Sequence, residues 1–350
     1  MSAQIEFLPV RYEEPLELDF ETPPESPTLP LIGEPPAVGY ATWTTPNVDE
    51  LKSGLRAALD AGYRFIDTAG YFEEEQAAVG DVLHGEYVES GRLKRADVFL
   101  SGKVPIHAHR PDLAERWIER SLRNLRTDYL DLFVLHFPLN TMYERKIAND
   151  SSDFNDALPH LETYRVLERH VRRGHFRSLG VANLNAAQLL QLWTAAEIKP
   201  TCLQLELHSL HPPADLVEVC ERLGVRITAS APFGHSSGSS SGTQSPQSRC
   251  LSHPILSGLA ERHAKTASQL LIRQLLQRGV GVLPLSTRPE RVFENADVFD
   301  FELDDEEMGQ FDVMNKELQQ PCDLLQIQGP RFIRNDVLYF TILRSLYCGT

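Results

Sequence analysis

Residues 63–80 read YRFIDTAGYFEEEQAAVG and change character partway along. Residues 63–68 form a continuous apolar, aromatic and β-branched run, the pattern of a strand buried on both faces. From Glu73 the chain turns acidic and then small and apolar. That suits a helix start whose carboxylates lie at the positive end of the helix dipole. Between the two lie Asp67, Tyr71 and Phe72, a carboxylate and two aromatics in the turn that joins strand to helix.

Working outward, the same unit recurs. Apolar runs occupy 37–43, 63–68, 98–104, 131–137, 177–183, 202–208, 225–231 and 280–286, eight in all. Segments of helical period lie between them, among them VDELKSGLRAALDAG, which stops at Gly62, and PDLAERWIERSLRNL, which opens on Pro111. Eight strand–helix alternations predict an α/β fold, a closed (β/α)8 TIM barrel, rather than an open sheet. No fixed sequence period is visible, which argues against a solenoid.

The barrel is expected over residues 36–315 as a single domain. Residues 1–35 form an acidic, proline-rich extension, and 316–350 an apolar, aromatic tail expected to pack on one end of the barrel as a substrate loop. The Gly/Ser-rich stretch 234–249 follows the seventh run and reads as a mobile loop, either a lid over the site or a surface insertion. A formal charge of −15 argues against nucleic-acid or anionic-membrane partners, which need clustered Lys and Arg. Five dispersed cysteines without a CxxC or Cys/His cluster suggest reduced thiols and no metal site. The amino terminus lacks the pattern of a secretory signal, and no run of eighteen apolar residues occurs. A cytoplasmic protein is expected.

Chemistry in such a barrel sits at the C-terminal ends of the strands. Those ends carry Trp43, Asp67, Lys103, His136, Asn183, Glu206, Ser230 and Ser286. Taken singly, Asp67 reads equally as a helix cap, Lys103 as a solvated strand end, and His136 as a core histidine. Together on neighbouring strands, the carboxylate and the ammonium predict a buried ion pair of the kind that gathers at functional sites. Such a pair suits proton donation to a carbonyl oxygen during hydride transfer. A tyrosine hydroxyl ionises near pH 10, and a cation beside it lowers that value by about 1–3 units. The histidine would orient the substrate oxygen or help to carry the proton.

From about residue 36 to 315 the chain resembles the aldo-keto reductases, as a divergent member. AGYRFIDTA resembles the family's aspartate-bearing strand, FLSGKV its lysine-bearing strand, and YLDLFVLHFP the strand that ends in histidine. FRSLGVANLN, CLQLELH and LPLSTRPERVFEN resemble its cofactor-side motifs, in order. The resemblance implies a monomeric oxidoreductase that reduces an aldehyde or ketone with NADPH and without a metal. It implies Asp67, Tyr71, Lys103 and His136 as catalytic residues. Thr42, Asp67, Asn183, Gln204 and Ser230 would bind the cofactor, with Asn183 and Gln204 on the carboxamide. Ser286, Arg291, Glu294 and Asn295 would hold its adenosine half. Trp43, Phe72 and Phe137 would wall a substrate pocket suited to an apolar carbonyl compound.

Four departures bear on that expectation. The family's tyrosine falls five residues after the aspartate, where this chain has Phe72; Tyr71 is four after, and the segment up to Val79-Gly80 is one residue longer. Either Tyr71 donates the proton from the rebuilt loop, or His136 or a glutamate of 73–75 takes the role. Ser230-Ala231-Pro232 replaces a Tyr-Ser-Pro pattern that supports the nicotinamide ring, and Ala182 replaces a serine. Leu285 stands where a lysine usually meets the 2′-phosphate, which opens the site to NADH. Two alternatives therefore remain at this point: non-redox acid/base chemistry (isomerase, dehydratase or cyclase), or a non-catalytic regulatory protein.

Overall fold

Eight short strands lie parallel and in chain order around one sheet: β1 (Tyr40–Ala41), β2 (Phe65–Asp67), β3 (Phe99–Val104), β4 (Leu130–His136), β5 (Phe176–Ala182), β6 (Cys202–Glu206), β7 (Arg226–Ser230) and β8 (Gly281–Leu283). The computed structural model describes residues 37–42, 47–69, 73–136, 160–207, 214–233 and 246–319. The sheet closes on itself. Val38 bridges Val282 in parallel, Gly39 N–H donates to the Val282 carbonyl at 2.8 Å, and Ala41 N–H donates to the Pro284 carbonyl at 3.2 Å. The expected barrel is thus the observed one.

Helices alternate with the strands: α1 (Val48–Asp60), α2 (Glu73–Gly80), α3 (Pro111–Asn124), α4 (His160–Arg172), α5 (Ala186–Ala195) and α6 (Ala214–Leu223). After β7 come α7 (Pro246–Leu251), α8 (Pro254–His263) and α9 (Ala267–Gln277), and after β8 come α10 (Pro289–Ala296) and α11 (Asp305–Gln319). α3 shows why these segments are helical. Pro111 sits in its first turn, and Ala114, Trp117, Ile118 and Ser121 bury one stripe against the barrel. α1 is capped by the Asn47 side chain, which accepts from the N–H groups of Asp49 and Glu50. α2 runs directly into a widened helical turn over Asp81–Val88. Among the described residues, no helix is long and apolar enough to cross a membrane.

Two layers of apolar packing result. The larger lies between strands and helices, with Leu55, Ile66, Leu100, Phe133 and Leu179 among its members. Inside the barrel, Ala41, Phe65 and Leu283 form one cluster, and Leu132, Val134, Ala182 and Cys202 another, each joined by Phe99. Side chains alternate across each strand, so the residues sharing that inner face are predictable. Phe65 and Asp67 point inward on β2, as do Phe99, Ser101 and Lys103 on β3. His136 follows Leu132 and Val134 on β4.

α1 also fixes the segment after β8. Gly54 lies so close that a Cβ there would fall 2.4 Å from the Tyr40 hydroxyl oxygen and 2.9 Å from the Ser286 carbonyl oxygen. Tyr40 donates to that same carbonyl at 2.8 Å.

The structure differs from the expected boundaries at the rims. Among the described residues, the first run, 37–43, contributes a strand of two residues and the eighth, 280–286, a strand of three. Residues 246–249 of the Gly/Ser-rich stretch are helical, in α7, and the last barrel helix passes residue 315 to end at Gln319. The expectations for residues 1–35, for 234–245 and for the tail beyond 319 fall outside the described residues. So do Trp43, Tyr71, Phe72 and Phe137.

Candidate active site

Asp67 is the last residue of β2 and points into the barrel mouth at 3% exposure. The ion pair expected between β2 and β3 forms: Lys103 Nζ lies 2.5 Å from both Asp67 oxygens, and its residue is 5% exposed. Two further donors complete the carboxylate. The Ser101 hydroxyl bonds Asp67 Oδ1, and Gln204 Nε2 donates to the same oxygen at 3.1 Å. Register explains the meeting, since Asp67 pairs with Ser101 across β2–β3 and Lys103 is two residues further on the same face. Trp117 of α3 anchors the strand behind the lysine by donating Nε1–H to the Lys103 carbonyl at 3.1 Å. A buried ammonium closed on both sides by one carboxylate, itself held by two neutral donors, is an ion pair fixed in place at the strand ends.

His136 ends β4, pairs with Ala182 and is 8% exposed. Burial, then the Lys103 charge and His109, hold its imidazole well below the ordinary histidine range. It is therefore neutral at pH 7, with one ring nitrogen an acceptor and the other a donor. Behind it lies His109, 1% exposed and against the backbone of Val104 and His136. Burial and the neighbouring His160 lower it to about 3.

The cofactor-side residues fall on three strand ends. Gln204 is 1% exposed, and its Oε1 is buried without a hydrogen-bond partner among the described residues, while its amide is held by Asp67. Asn183, just after β5, takes a left-handed backbone (φ 58°) and donates its N–H to the Gln204 carbonyl at 2.9 Å. Asparagine tolerates that conformation; Ala231, at φ 47° after β7 and immediately before Pro232, does so at more cost. Ser230 is half-buried and donates its hydroxyl to the Leu205 carbonyl at 2.9 Å. Thr42 gives its hydroxyl to Glu75 at 2.6 Å and its N–H to the Asp67 carbonyl at 3.0 Å.

Beyond β8, the Ser286 hydroxyl accepts from Arg288 N–H at 3.2 Å at the start of α10. Arg291 is exposed in the first turn of α10, without a side-chain partner among the described residues. Asn295 is buried on the same helix, and Glu294 accepts from the Thr266 hydroxyl at 2.6 Å. Glu294 thus ties α10 to the start of α9, a structural use that its sequence position did not disclose. Leu285 is half-buried against the Ala41–Phe65–Leu283 cluster.

Two contributors escaped the sequence reading, and a third was named there only as one of the glutamates of 73–75. Ser101 was signalled by strand parity, two residues before Lys103. Trp117 carried no polar signal at all. Glu75 was one of three adjacent glutamates, and its burial follows from its place one helical turn before Val79. Among the described residues, no group of three or more His, Cys, Asp or Glu side chains could hold a metal ion.

Comparison with known proteins agrees with this geometry. The sequence model of the Aldo/keto reductase family matches residues 37–316. The chain is 33% identical over 307 residues to aldo-keto reductase family 1 member A1 of Bos taurus, covering 86% of this chain and 92% of that one. It is 34% identical over 284 residues to the NAD(P)H-dependent D-xylose reductase of Scheffersomyces stipitis, covering 78% and 88% respectively. Among solved structures, the aldose reductase of Schistosoma japonicum superposes with a TM-score of 0.71 at 34% identity, over 81% of this chain and 88% of that one. A Bombyx mori aldo-keto reductase in complex with NADP superposes with a TM-score of 0.70 at 32% identity, over 80% and 89%.

Proposed function

The chain belongs to the aldo/keto reductase family, and from that premise we propose that Asp67, Lys103, His136 and Gln204 are the working centre of an NAD(P)H-dependent carbonyl reductase. The observation that carries the assignment is the pair of linked features at Asp67. Its oxygens fix the Lys103 ammonium, and its Oδ1 also holds the Gln204 amide, while Gln204 Oε1 is buried with no hydrogen-bond partner among the described residues. A buried acceptor left empty is costly unless a ligand donor fills it, and a nicotinamide carboxamide N–H has the right chemistry. Asn183 lies beside it through its bond to the Gln204 backbone and would meet the same amide group.

A nicotinamide held by Asn183 and Gln204 would supply the hydride. The chain's residues supply the proton and its control. Lys103 lowers the proton affinity of a hydroxyl beside it, and Asp67 keeps that charge in place. Tyr71 is the proposed donor, as the hydroxyl-bearing side chain nearest in sequence to the family position. Neutral His136 donates an N–H to the substrate carbonyl oxygen and so orients it without adding charge.

The loop after β8 and the start of α10 would receive the adenosine half and its phosphates, with Ser286, Arg291, Glu294 and Asn295 as the binding group. Glu294 contributes there through its free carboxylate oxygen, since the other holds Thr266. Thr42 and Ser230 would frame the cofactor through the surfaces left after their own hydrogen bonds. With Leu285 in place of a lysine, NADPH loses one charged contact and NADH becomes an acceptable substitute. Trp43, Phe72 and Phe137 would wall the pocket for an apolar aldehyde or ketone. The protein is proposed to act as a cytoplasmic monomer, with 36–315 as its single catalytic domain.

Titration of the purified protein with NADPH and with NADH, followed by nucleotide fluorescence, tests the reading, and a panel of aldehydes and ketones then tests turnover. Binding with turnover supports it. Binding of neither nucleotide at high micromolar concentration overturns it, and binding without oxidation by any carbonyl compound overturns the redox assignment.

A further inference from the structure

Glu75 belongs to α2, yet its carboxyl lies in the strand-end cluster at 3% exposure. Its Oε1 accepts from the Thr42 hydroxyl at 2.6 Å and from the Ala69 N–H at 3.4 Å. Thr42 is itself fastened to β2 through the Asp67 carbonyl. One oxygen therefore draws together the ends of β1 and β2. Each of those ends is one residue from a segment assigned to the substrate: Thr42 precedes Trp43, and Ala69 precedes Gly70, Tyr71 and Phe72. Glu75 also closes the second segment on its far side, three residues after Phe72.

The other oxygen, Oε2, is buried and has no hydrogen-bond partner among the described residues. An anion with an empty oxygen is costly in such a place, whereas the neutral acid turns that oxygen into a donor. The charged groups facing it are Lys103 from β3 and Asp67 from β2. Lys103 is already closed by both Asp67 oxygens, which leaves little attraction for a second anion.

We propose that Glu75 is a positioning residue of the proton-transfer site that acts as a neutral carboxyl, and that its ionisation suppresses carbonyl reduction. The inference rests on the reductase reading above. Glu75 gives up no proton in turnover; the proton on the product hydroxyl comes from the donor hydroxyl. While Glu75 is neutral, the Asp67–Lys103 pair carries no net charge, and the ammonium is the nearest charge available to a donor hydroxyl beside it. Once Glu75 is ionised, two carboxylates share one ammonium, the cluster becomes net negative, and a hydroxyl beside it holds its proton more tightly. Burial, working against the Thr42 and Ala69 hydrogen bonds and Lys103, pushes this carboxyl up to about 7. Turnover therefore declines as pH rises through neutrality.

The test compares the full-length wild type with E75Q and E75A in three measurements: NADPH affinity, the pH dependence of kcat with a carbonyl compound that the wild type reduces, and the pH dependence of Tm without substrate. The fold favours the neutral acid, so wild-type Tm should decline as pH rises from the ordinary carboxyl range to about 7, and E75Q should lack that decline. E75Q should move the alkaline limb of kcat upward by about one pH unit or more. E75A, which takes the acceptor from the Ala69 N–H and leaves the Thr42 hydroxyl only the Asp67 carbonyl at 3.2 Å, should lose about tenfold or more in kcat at every pH. A purely structural Glu75 would give the E75A loss without the E75Q shift. Retention of the wild-type limb in E75Q overturns the proposal while leaving the reductase intact. A wild type that binds neither nucleotide overturns the reductase reading and this inference with it.

Discussion

Replacing Asp67 with asparagine separates the charge of the site from its shape. The asparagine side chain fills the same space and keeps an oxygen for Ser101 or Gln204. It leaves the Lys103 ammonium, 5% exposed and now 2.5 Å from both carboxylate oxygens, with no counter-ion in contact. Breaking a buried pair from one side costs about 3–5 kcal/mol, because the survivor keeps its desolvation penalty without the attraction. With the ammonium no longer held in place, the donor hydroxyl would lose the cation that lowers its pKa by about 1–3 units. At about 1.4 kcal/mol per unit, that is a loss of roughly 10- to 1000-fold in kcat.

Chemical denaturation of D67N, K103M and D67N/K103M, with steady-state kinetics on each, reads both effects. Stability should drop in D67N and recover in the double variant, since an apolar side chain of similar volume replaces the stranded charge at little net cost. Activity should not recover, because the double variant still lacks the cation. Two results would refute the reasoning. One is a D67N protein within about 1 kcal/mol of wild type, which would mean that the pair is solvated. The other is turnover restored by the double variant, which would remove Lys103 from the chemistry.

Gln204→Leu leaves a carboxamide donor without its acceptor and should weaken nucleotide binding by about 1–3 kcal/mol, read as a Kd increase of roughly 5- to 150-fold by fluorescence titration. Gly54→Ala places a methyl 2.4 Å from the Tyr40 hydroxyl oxygen and 2.9 Å from the Ser286 carbonyl oxygen, so it should cost about 1–3 kcal/mol of stability. It should also weaken nucleotide binding through the displaced Ser286 loop, whereas an unchanged Kd would detach that loop from the cofactor. Leu285→Lys should tighten NADPH by about 1.5–3 kcal/mol and leave NADH nearly unaffected; equal gains for both would remove Leu285 from the 2′-phosphate site.

The barrel was legible because strands buried on both faces must be apolar throughout, and 131–137 or 177–183 has no other economical reading. Strand parity made Asp67, Lys103 and His136 legible as neighbours, since their positions at the ends of apolar runs settle both their level and their face. The lengths of the rim strands were not legible. The first strand ends at Ala41 although Thr42 still donates its N–H to the Asp67 carbonyl, and no side chain records that end. Glu75 shows the other limit. Three consecutive glutamates look alike as first-turn helix residues, and only packing against β1 and β2 singles one of them out. Trp117 shows it again, since its indole partner is a backbone carbonyl, which carries no residue-specific signal.

The chain is held firmly on both sides of the turn between Asp67 and Gly80. Ala69 is fixed on one side, its N–H held by Glu75 and its neighbour Thr68 bonded through N–H and hydroxyl to the Ser101 carbonyl, each at 3.0 Å. On the other side α2 begins at Glu73, and its buried face of Glu75, Gln76, Ala78 and Val79 is locked against the barrel. A slip along α2 would turn Glu75 away from Thr42 and expose Val79, so both contacts hold the helix in register. A slip in β2 would move Asp67 off Lys103 and reverse the faces of its neighbours. These contacts fix the chain on either side of residues 70–72, the stretch that carries Tyr71 and Phe72. Whatever this chain alters in proton delivery is decided between two fixed ends that Glu75 itself ties together.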